Sequence, residues 1–455
     1  MPYIERRGHS IRVKWWAGEY LPNGSKKYES ASGPQPGVRF TDEDEAYDFG
    51  LDREYDVRNG VHVRRRDGNT QMKVYIWDWY ADQELRFSSM RRYKSMLTAR
   101  IEPYWGDHAV GAITAFEYQA WSRHLNSLVA DELMSASYAR DLKKLFTTIM
   151  SDAVEPYRLR KFSPVVVKAR RGKYVKQTKP KKRPLEMETL YQLACNAYEV
   201  WGYTGWVYIW HCAFTGCRPG ENWGLQRQFA SPTWPASDPD AERRAESLER
   251  YCGKKPMHAI RVQYQHQVVE GKQELTGPKY DSHRTLVVPD FLHEMHAALL
   301  ASHDYPWAFP SMLGRSLLST KFELDYWYPI RDGADARTTH RGHPVRPAIP
   351  KVPEMAGKRI YALRHGHKEW LDEDGHCEIA VESRMGHEVA GVKGLYGNLT
   401  PAMELRMAGS LQRRWERFWR PRGGLWQPAF PTPLPVDHPG GVNEQLTRRP
   451  RRTHR

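Results

Sequence analysis

The chain has 455 residues, 40% of them hydrophobic, and a formal net charge of +15. That length predicts about three domains of roughly 150 residues each, with enough apolar side chains for real cores. No apolar run approaches the roughly 20 residues that span a bilayer, and Arg6 and Arg7 lead into mixed polar sequence instead of a signal peptide. A soluble, intracellular protein with no membrane partner is expected. Its positive balance favours a polyanion, because each neutralised phosphate releases counterions.

Residues 1–70 predict a small sheet-plus-helix unit. Ile11, Val13 and Trp15 alternate with Arg12, Lys14 and Trp16 as in a strand. Asn23-Gly24 marks a turn, and Lys26–Ser30 supplies the return strand. Thr41 opens a helix, with Asp44 in capping-box spacing and Ala46, Phe49 and Tyr55 on its apolar side. Such a unit, facing outward with basic residues, is either a small DNA reader or a packing subdomain.

Residues 72–160 predict a helical domain. Met90, Tyr93, Leu97 and Ile101 recur at helical spacing. Thr114 and Glu117 form a capping-box pattern before a helix with Tyr118, Trp121 and Leu125. Tyr138, Leu142, Leu145, Phe146 and Ile149 mark another. These stripes read as core. The basic residues opposite them, Arg91, Arg92, Lys94, Lys143 and Lys144, either meet a duplex or form a solvated face.

A basic linker follows at 161–185. From Tyr157 to Leu185 there is no acidic residue, and prolines stand at 164, 180 and 184. Like charge at this density opposes compaction of the free chain. Lys168, Arg170, Arg171, Lys173 and Lys176 are the DNA-binding candidates here, in a bridge that suggests a clamp around a duplex.

The third domain is expected at 186–420. Leu190, Leu193, Ala197, Val200 and Trp201 give its first helix, and further helices are predicted over 206–214 and from Met355. Residues 259–264 and 284–288 read as strands of a small sheet. Ser231–Asp240 reads as a surface excursion and 330–350 as loop. After Pro401, Met403, Met407, Leu411, Trp415 and Phe418 share one helix face. Residues 421–455, rich in Pro and Gly and ending in an arginine cluster, read as a disordered basic tail.

Within the third domain lie Thr215-Gly216-Cys217-Arg218-Pro219-Gly220-Glu221, then Leu363-Arg364-His365, then Gly386-His387, and Tyr396 nine positions later. Breaking a phosphodiester with a side chain needs an oxygen nucleophile in line with phosphorus. Charge growing on the non-bridging oxygens must be neutralised, and the departing deoxyribose oxygen needs a proton. Forked guanidiniums can neutralise that charge, and lysine or histidine can supply protons. Glu221 reads as orienting Arg218 or capping the next helix. Lys279, in Gly277-Pro278-Lys279-Tyr280, reads as lying at a hairpin tip that reaches a DNA groove.

These residues resemble the tyrosine recombinase, or phage integrase, family. The resemblance covers most of 186–410: Thr215-Gly216-x-Arg218-x-x-Glu221 with Leu225, Lys279 with Arg284 and Pro289, Leu363-Arg364-His365, Gly386-His387, and Tyr396. It implies an α+β fold. A mainly helical catalytic domain with a small antiparallel sheet would follow a helical core-binding domain and a small arm-binding N-terminal domain of sheet plus helix. It implies a site-specific DNA recombinase that integrates or excises a mobile element, with no cofactor, metal or ATP. Arg218 and Arg364 would clamp the scissile phosphate, Lys279 would be the general acid, His387 would assist proton transfer, and Tyr396 would form a 3′-phosphotyrosine. Tyr361 departs from the pattern, standing where the family commonly has histidine or lysine, yet its hydroxyl can donate to phosphate. His365 reads as a structural partner within the helix.

The implied partners are double-stranded attachment sites, three further copies in a homo-tetramer, and a directionality factor or host DNA-bending protein. The implied location is the prokaryotic cytoplasm, on the nucleoid when DNA is bound. The helix after Pro401 either packs on its own domain or, as the resemblance implies, docks on a neighbouring subunit. Two rival readings remain. One is a metal-dependent nuclease built on His365, His367, His376, Cys377 and His387, since His and Cys ligate zinc. The other is a DNA-binding regulator without chemistry. The five cysteines are odd in number and lack C-x-x-C spacing, which fits neither a disulfide framework nor a zinc ribbon.

Overall fold

Alternation builds the N-terminal sheet. Along β2 (Ser10–Tyr20), Val13, Trp15 and Ala17 are buried on one face while Arg12, Lys14 and Trp16 lie on the other. It pairs antiparallel with β1 (Tyr3–Arg7), a strand the sequence pattern does not announce, and with β3 (Lys26–Ala31). Helix α1 (Glu43–Arg58) closes over the apolar face, around Val13, Trp15, Ala31, Phe40 and Ala46. Its cap is Asp42, one residue later than expected: the Asp42 carboxylate accepts from Glu45 N at 2.8 Å, while Thr41 donates its N–H and hydroxyl to the Glu45 carboxylate. Tyr55, expected on the apolar side, is exposed.

The structure, a computed structural model, describes residues 1–428 apart from 9, 35–36, 166–183, 231–232, 252–257, 270–271, 318, 339–343, 388–398 and 424. The chain divides into two compact units, Met1–Lys176 and Gln177–Arg455. The five basic candidates of the linker, Lys168, Arg170, Arg171, Lys173 and Lys176, lie outside the described residues, as does most of the tail.

The rest of the first unit is helical: α2 (Met72–Ala81), α3 (Phe87–Met96), α4 (Ala115–Ala130) and α5 (Ala136–Val154). The Thr114–Glu117 capping box closes in both directions. Leu97 and Ile101 are buried, but Met90 and Tyr93 only partly, and Met96 takes their place. The cause is a π-helical turn at Leu97–Ile101, whose wider loop shifts the phase of the apolar stripe. Of the basic residues opposite, Arg92 pairs with Asp141 and Lys143 donates to Asn126, so part of that face is occupied within the unit.

In the second unit, α6 (Met187–Thr215) joins both expected helices across a break at Trp201–Gly202. Its second half is buried all round, from Tyr203 to Thr215, and forms the centre of the core. After the short helix α7 (Pro219–Trp223) come β4 (Ala259–Val262), β5 (Gln265–Val269), β6 (Lys272–Thr276) and β7 (Arg284–Val287). β4 pairs with β7 and β5 with β6, all antiparallel. Lys279 is therefore not at a hairpin tip. It lies in a 3₁₀ turn, Lys279–Asp281, between β6 and β7. Within the expected excursion, residues 233–240 are pinned down by buried Trp234 and Asp238, both beside Arg261.

Helix α8 (Asp290–Ala301) follows β7. The helix expected from Met355 begins later, as α9 (Tyr361–Glu373), because Gly357 adopts a left-handed φ of 68°. The stretch 330–350 is not all loop: Tyr328–Asp332 is helical, and Arg337–Thr338 pairs with Pro344–Arg346. α10 (Glu378–Met385) and α11 (Pro401–Trp419) complete the unit. The stripe of α11 packs on its own domain within the chain: Met407, Leu411 and Phe418 are buried, and Trp415 stacks on Phe291 with ring centroids 4.1 Å apart. The start of the expected tail is also packed, since Tyr191 donates its hydroxyl to the Trp426 carbonyl and the Trp426 ring meets Tyr198 and Trp206. The fold is α+β, mainly helical with small antiparallel sheets. No helix among the described residues is long and apolar enough to cross a membrane.

Candidate active site

Helix α6 stops because Gly216 takes a left-handed φ of 66°. A Cβ there would lie 2.5 Å from the His367 ring, so only glycine permits the turn. The chain then enters α7 with Arg218 as its first cap. Glu221 both caps and orients: its carboxylate accepts the Arg218 backbone N–H at 2.7 Å and Arg218 Nη1 at 2.8 Å. The same carboxylate takes a bidentate pair from Arg284, at 3.0 and 2.7 Å. Burial opposes ionisation of Glu221, but Arg284 and then Arg218 outweigh it and hold the carboxyl down to about 2.

Arg364, in the first turn of α9, is 2% exposed. Its Nη1 donates to the Gly216 carbonyl at 2.5 Å, and its Nη2 to the Met385 carbonyl and to His387 Nε2, the latter at 2.9 Å. Arg218 Nη2 donates to the Gly386 carbonyl at 2.8 Å. Two arginines from motifs far apart in sequence thus hang on consecutive carbonyls of one corner, Met385–Gly386–His387. Gly386 makes that corner with a φ of 66°, and a Cβ on it would lie 2.7 Å from Arg284 Nη1.

His387 is the partly exposed member. Its Nε2 accepts from Arg364, so Nδ1 carries the proton and donates to Glu382 at 2.6 Å. Burial disfavours the Glu382 carboxylate, yet hydrogen bonds from Lys368 and His387 keep its carboxyl below the usual range. Tyr361 sits at the start of α9, with the Arg364 guanidinium 5.9 Å from its ring centre and its ring edge-on to His365.

Arg218, Arg364 and His387 converge, with Tyr361 beside Arg364. Lys279 is linked to them through Ser282, whose Oγ accepts from Arg218 Nη1 at 3.3 Å and donates to the Lys279 carbonyl at 2.8 Å. The Lys279 ammonium itself lies over the Tyr280 ring. Tyr396 lies outside the described residues. Two guanidiniums, Arg218 and Arg284, grip one buried carboxylate, and a third, Arg364, feels its charge. This excess of fixed positive charge suits an oxyanion.

The histidines of the zinc reading serve different partners. His367 is fully buried between Ala213 and Arg384, His376 meets Ser410, and His387 meets Glu382 and Arg364. Among the described residues, no group of three or more His, Cys, Asp or Glu is arranged to hold a metal ion. Sequence reasoning missed Glu382 and Arg384 and the bidentate grip of Arg284. The carboxylate five positions before His387 was the one local signal.

No family model and no curated protein matches the chain. Among solved structures, it is similar to the Tn1549 transposon integrase in complex with transposon right end DNA, at 13% identity over 77% of this chain and 100% of that one, with a TM-score of 0.47. It is also similar to a lambda integrase dimer bound to a COC′ core site, at 12% identity over 93% and 96% of the two chains and a TM-score of 0.45. A third similarity is to the XerA recombinase, at 14% identity over 77% and 98%, with a TM-score of 0.27.

Proposed function

We propose that this chain is a tyrosine-type site-specific DNA recombinase, an integrase that cleaves and rejoins DNA strands through a 3′-phosphotyrosine. The observation that carries the reading is the corner at Met385–His387, where Arg218, Arg364 and His387 converge. Arg218 and Arg364 neutralise the non-bridging oxygens of the scissile phosphate, with Tyr361 available as a further donor. Tyr396 Oη attacks phosphorus in line, the P–O5′ bond breaks, and Lys279 gives its proton to the departing oxygen. His387 takes the proton that Tyr396 loses on attack and returns it when Tyr396 leaves, with the ionised Glu382 steadying the charged ring, and Lys279 takes back the proton of the attacking 5′-hydroxyl. A free 5′-hydroxyl then attacks the phosphotyrosine, the Tyr396–phosphate bond breaks, and the strand is resealed. Bond energy is conserved throughout, so neither ATP nor metal is required.

Exchange of four strands with one site per strand calls for a homo-tetramer on two double-stranded attachment sites. A directionality factor or DNA-bending protein would bias integration against excision of a mobile element, in a prokaryotic cytoplasm. Lys168, Arg170, Arg171, Lys173 and Lys176 hold the duplex backbone, and neutralising several of them weakens binding to all sequences alike. The test is denaturing electrophoresis after incubation with a pool of nicked suicide duplexes, in excess chelator. A covalent protein–DNA adduct is expected from the parent and not from Tyr396→Phe, which still binds DNA. Cleavage that needs added zinc or magnesium, or an adduct that survives in the Phe variant, overturns the assignment.

A further inference from the structure

Arg384 is a buried arginine that the proposed chemistry does not use. It lies in the last turn of α10, two residues before Gly386, and is 2% exposed. Its Nε donates to His367 Nε2 at 3.0 Å, its Nη1 to the Val287 carbonyl at 2.9 Å, and its Nη2 to the Phe214 carbonyl at 3.1 Å. Those acceptors stand on α9, β7 and α6. α9 carries Arg364, β7 carries Arg284, and α6 runs into the turn that carries Arg218. The backbone carbonyl of Arg384 also accepts from Arg284 Nε at 2.9 Å.

His367 completes the arrangement. Its Nδ1 donates to the Ala213 carbonyl at 2.9 Å, and its Nε2 accepts from Arg384, which fixes one neutral tautomer. Its ring is pressed against Gly216, the residue whose carbonyl holds Arg364. A planar fork with acceptors on three elements sets angle as well as distance, which a lysine cannot do.

We infer that Arg384 and His367 are positioning residues: a buried pair that locks the ends of α6, β7, α9 and α10 in one register, so that Arg218, Arg364 and His387 aim at one phosphate. The kinetic consequence rests on the phosphoryl-transfer reading; the structural one does not. A misplacement of about 1 Å at such a site is enough to slow the chemistry by roughly a hundredfold. Stability can be separated from aim, because a buried polar pair replaced by apolar residues of similar volume often folds equally well.

The experiment uses the full chain with the double substitution His367→Phe and Arg384→Met. Three quantities are read: thermal midpoint, single-turnover adduct formation on nicked duplexes at saturating protein, and amide hydrogen exchange over 213–218 and 384–387. The variant should fold and bind DNA as the parent does. It should form adduct about a hundredfold more slowly, with faster exchange confined to those two segments. His367→Gln, whose amide can donate to Ala213 and accept from Arg384, should recover most of the rate, and Arg384→Lys should not. Parental rate and parental exchange in the double variant overturn the inference. Should the double variant fail to fold, the two single variants decide: equal rates in Gln and Lys contradict the positioning role. Should the parent form no adduct, the recombinase reading fails, and hydrogen exchange alone still decides this one.

Discussion

At the corner of Met385, Gly386 and His387, Arg364 is 2% exposed and each of its forked donors ends on a fixed acceptor. On the N-terminal sheet, Lys14 and Lys26 lie among Tyr3, Trp16 and Tyr28 on an open face, above a small core around Val13, Trp15, Ala31, Phe40 and Ala46. The same chemical class, a cation beside an aromatic ring, is built in two ways. Where direction matters, the charge is buried and held by backbone carbonyls and a carboxylate, and desolvation makes each lost partner expensive. Where only a field is needed, the charge stays on a flexible, hydrated stem and tolerates change. Substitutions at the two places should therefore differ in kind as well as in size.

The corner should show the largest effect. Arg218→Ala or Arg364→Ala is expected to slow the chemical step by roughly two to three orders of magnitude, the loss seen when one preorganised donor is removed. Lysine should restore little, because it lacks the fork. Single-turnover adduct formation measures this directly, and a near-parental rate in either alanine variant would remove these residues from the site.

Next in size is the carboxylate that the arginines share. Glu221→Gln leaves Arg284 and Arg218 with a neutral partner in a buried place, and should cost roughly 3–5 kcal/mol. Its pH dependence has a definite sign. The folded-state carboxyl is held down to about 2, below its value in the unfolded chain. The stability that Glu221 contributes is thus complete above about pH 4.3 and lost as pH falls toward 2. In the Gln variant the acid limb of a stability–pH curve should flatten over that window. An unchanged acid limb would show that the Glu221–Arg284 pair does not carry it.

The same contrast explains what could be read from the sequence. Arg218, Arg364 and His387 were visible because short motifs with Gly216 and Gly386 surround them. Thr114–Glu117 and the Val13–Trp15 alternation were visible because their partners lie within a few residues. The grip of Arg284 on Glu221 spans 63 positions, and that of Arg384 on Phe214 spans 170. Neither has a local period to betray it. Lys279 was misplaced because β5 and β6 are largely polar strands that carry no apolar alternation. The stripe on α11 announced an apolar face, but a period cannot say which surface covers it.

A glycine pair sharpens the comparison at smaller magnitude. Gly386 and Gly24 both have left-handed φ, 66° and 81°. A Cβ at Gly24 meets nothing within 4 Å, whereas at Gly386 it lies 2.7 Å from Arg284 Nη1. Gly24→Ala should cost only the backbone strain, about 1 kcal/mol. Gly386→Ala should cost that and the displacement of Arg284 as well, roughly 2–3 kcal/mol. Denaturant midpoints of the two variants give the difference, and equal values would mean that the corner yields as freely as the open turn.

The smallest effects on stability belong to the sheet. Lys14→Gln and Lys26→Gln remove charges on an open face, and each should leave the denaturant midpoint close to that of the parent. If this face meets DNA, the effect appears in binding, where each phosphate contact contributes about 0.9 to the slope of log K against log salt. The two lysines should not be equivalent. Lys14 is paired with Glu5, and the hydrogen bond to that carboxylate is the main cause of its raised pKa. Its charge is already partly neutralised. Lys26 stands over Trp16, and among the described residues no carboxylate pairs with it. Lys26→Gln should therefore reduce the slope by nearly the full contact, and Lys14→Gln by less. A titration of duplex binding at several salt concentrations separates them. Equal slopes in both variants and the parent would mean that this face does not hold phosphate, and that its aromatic and basic residues serve another contact.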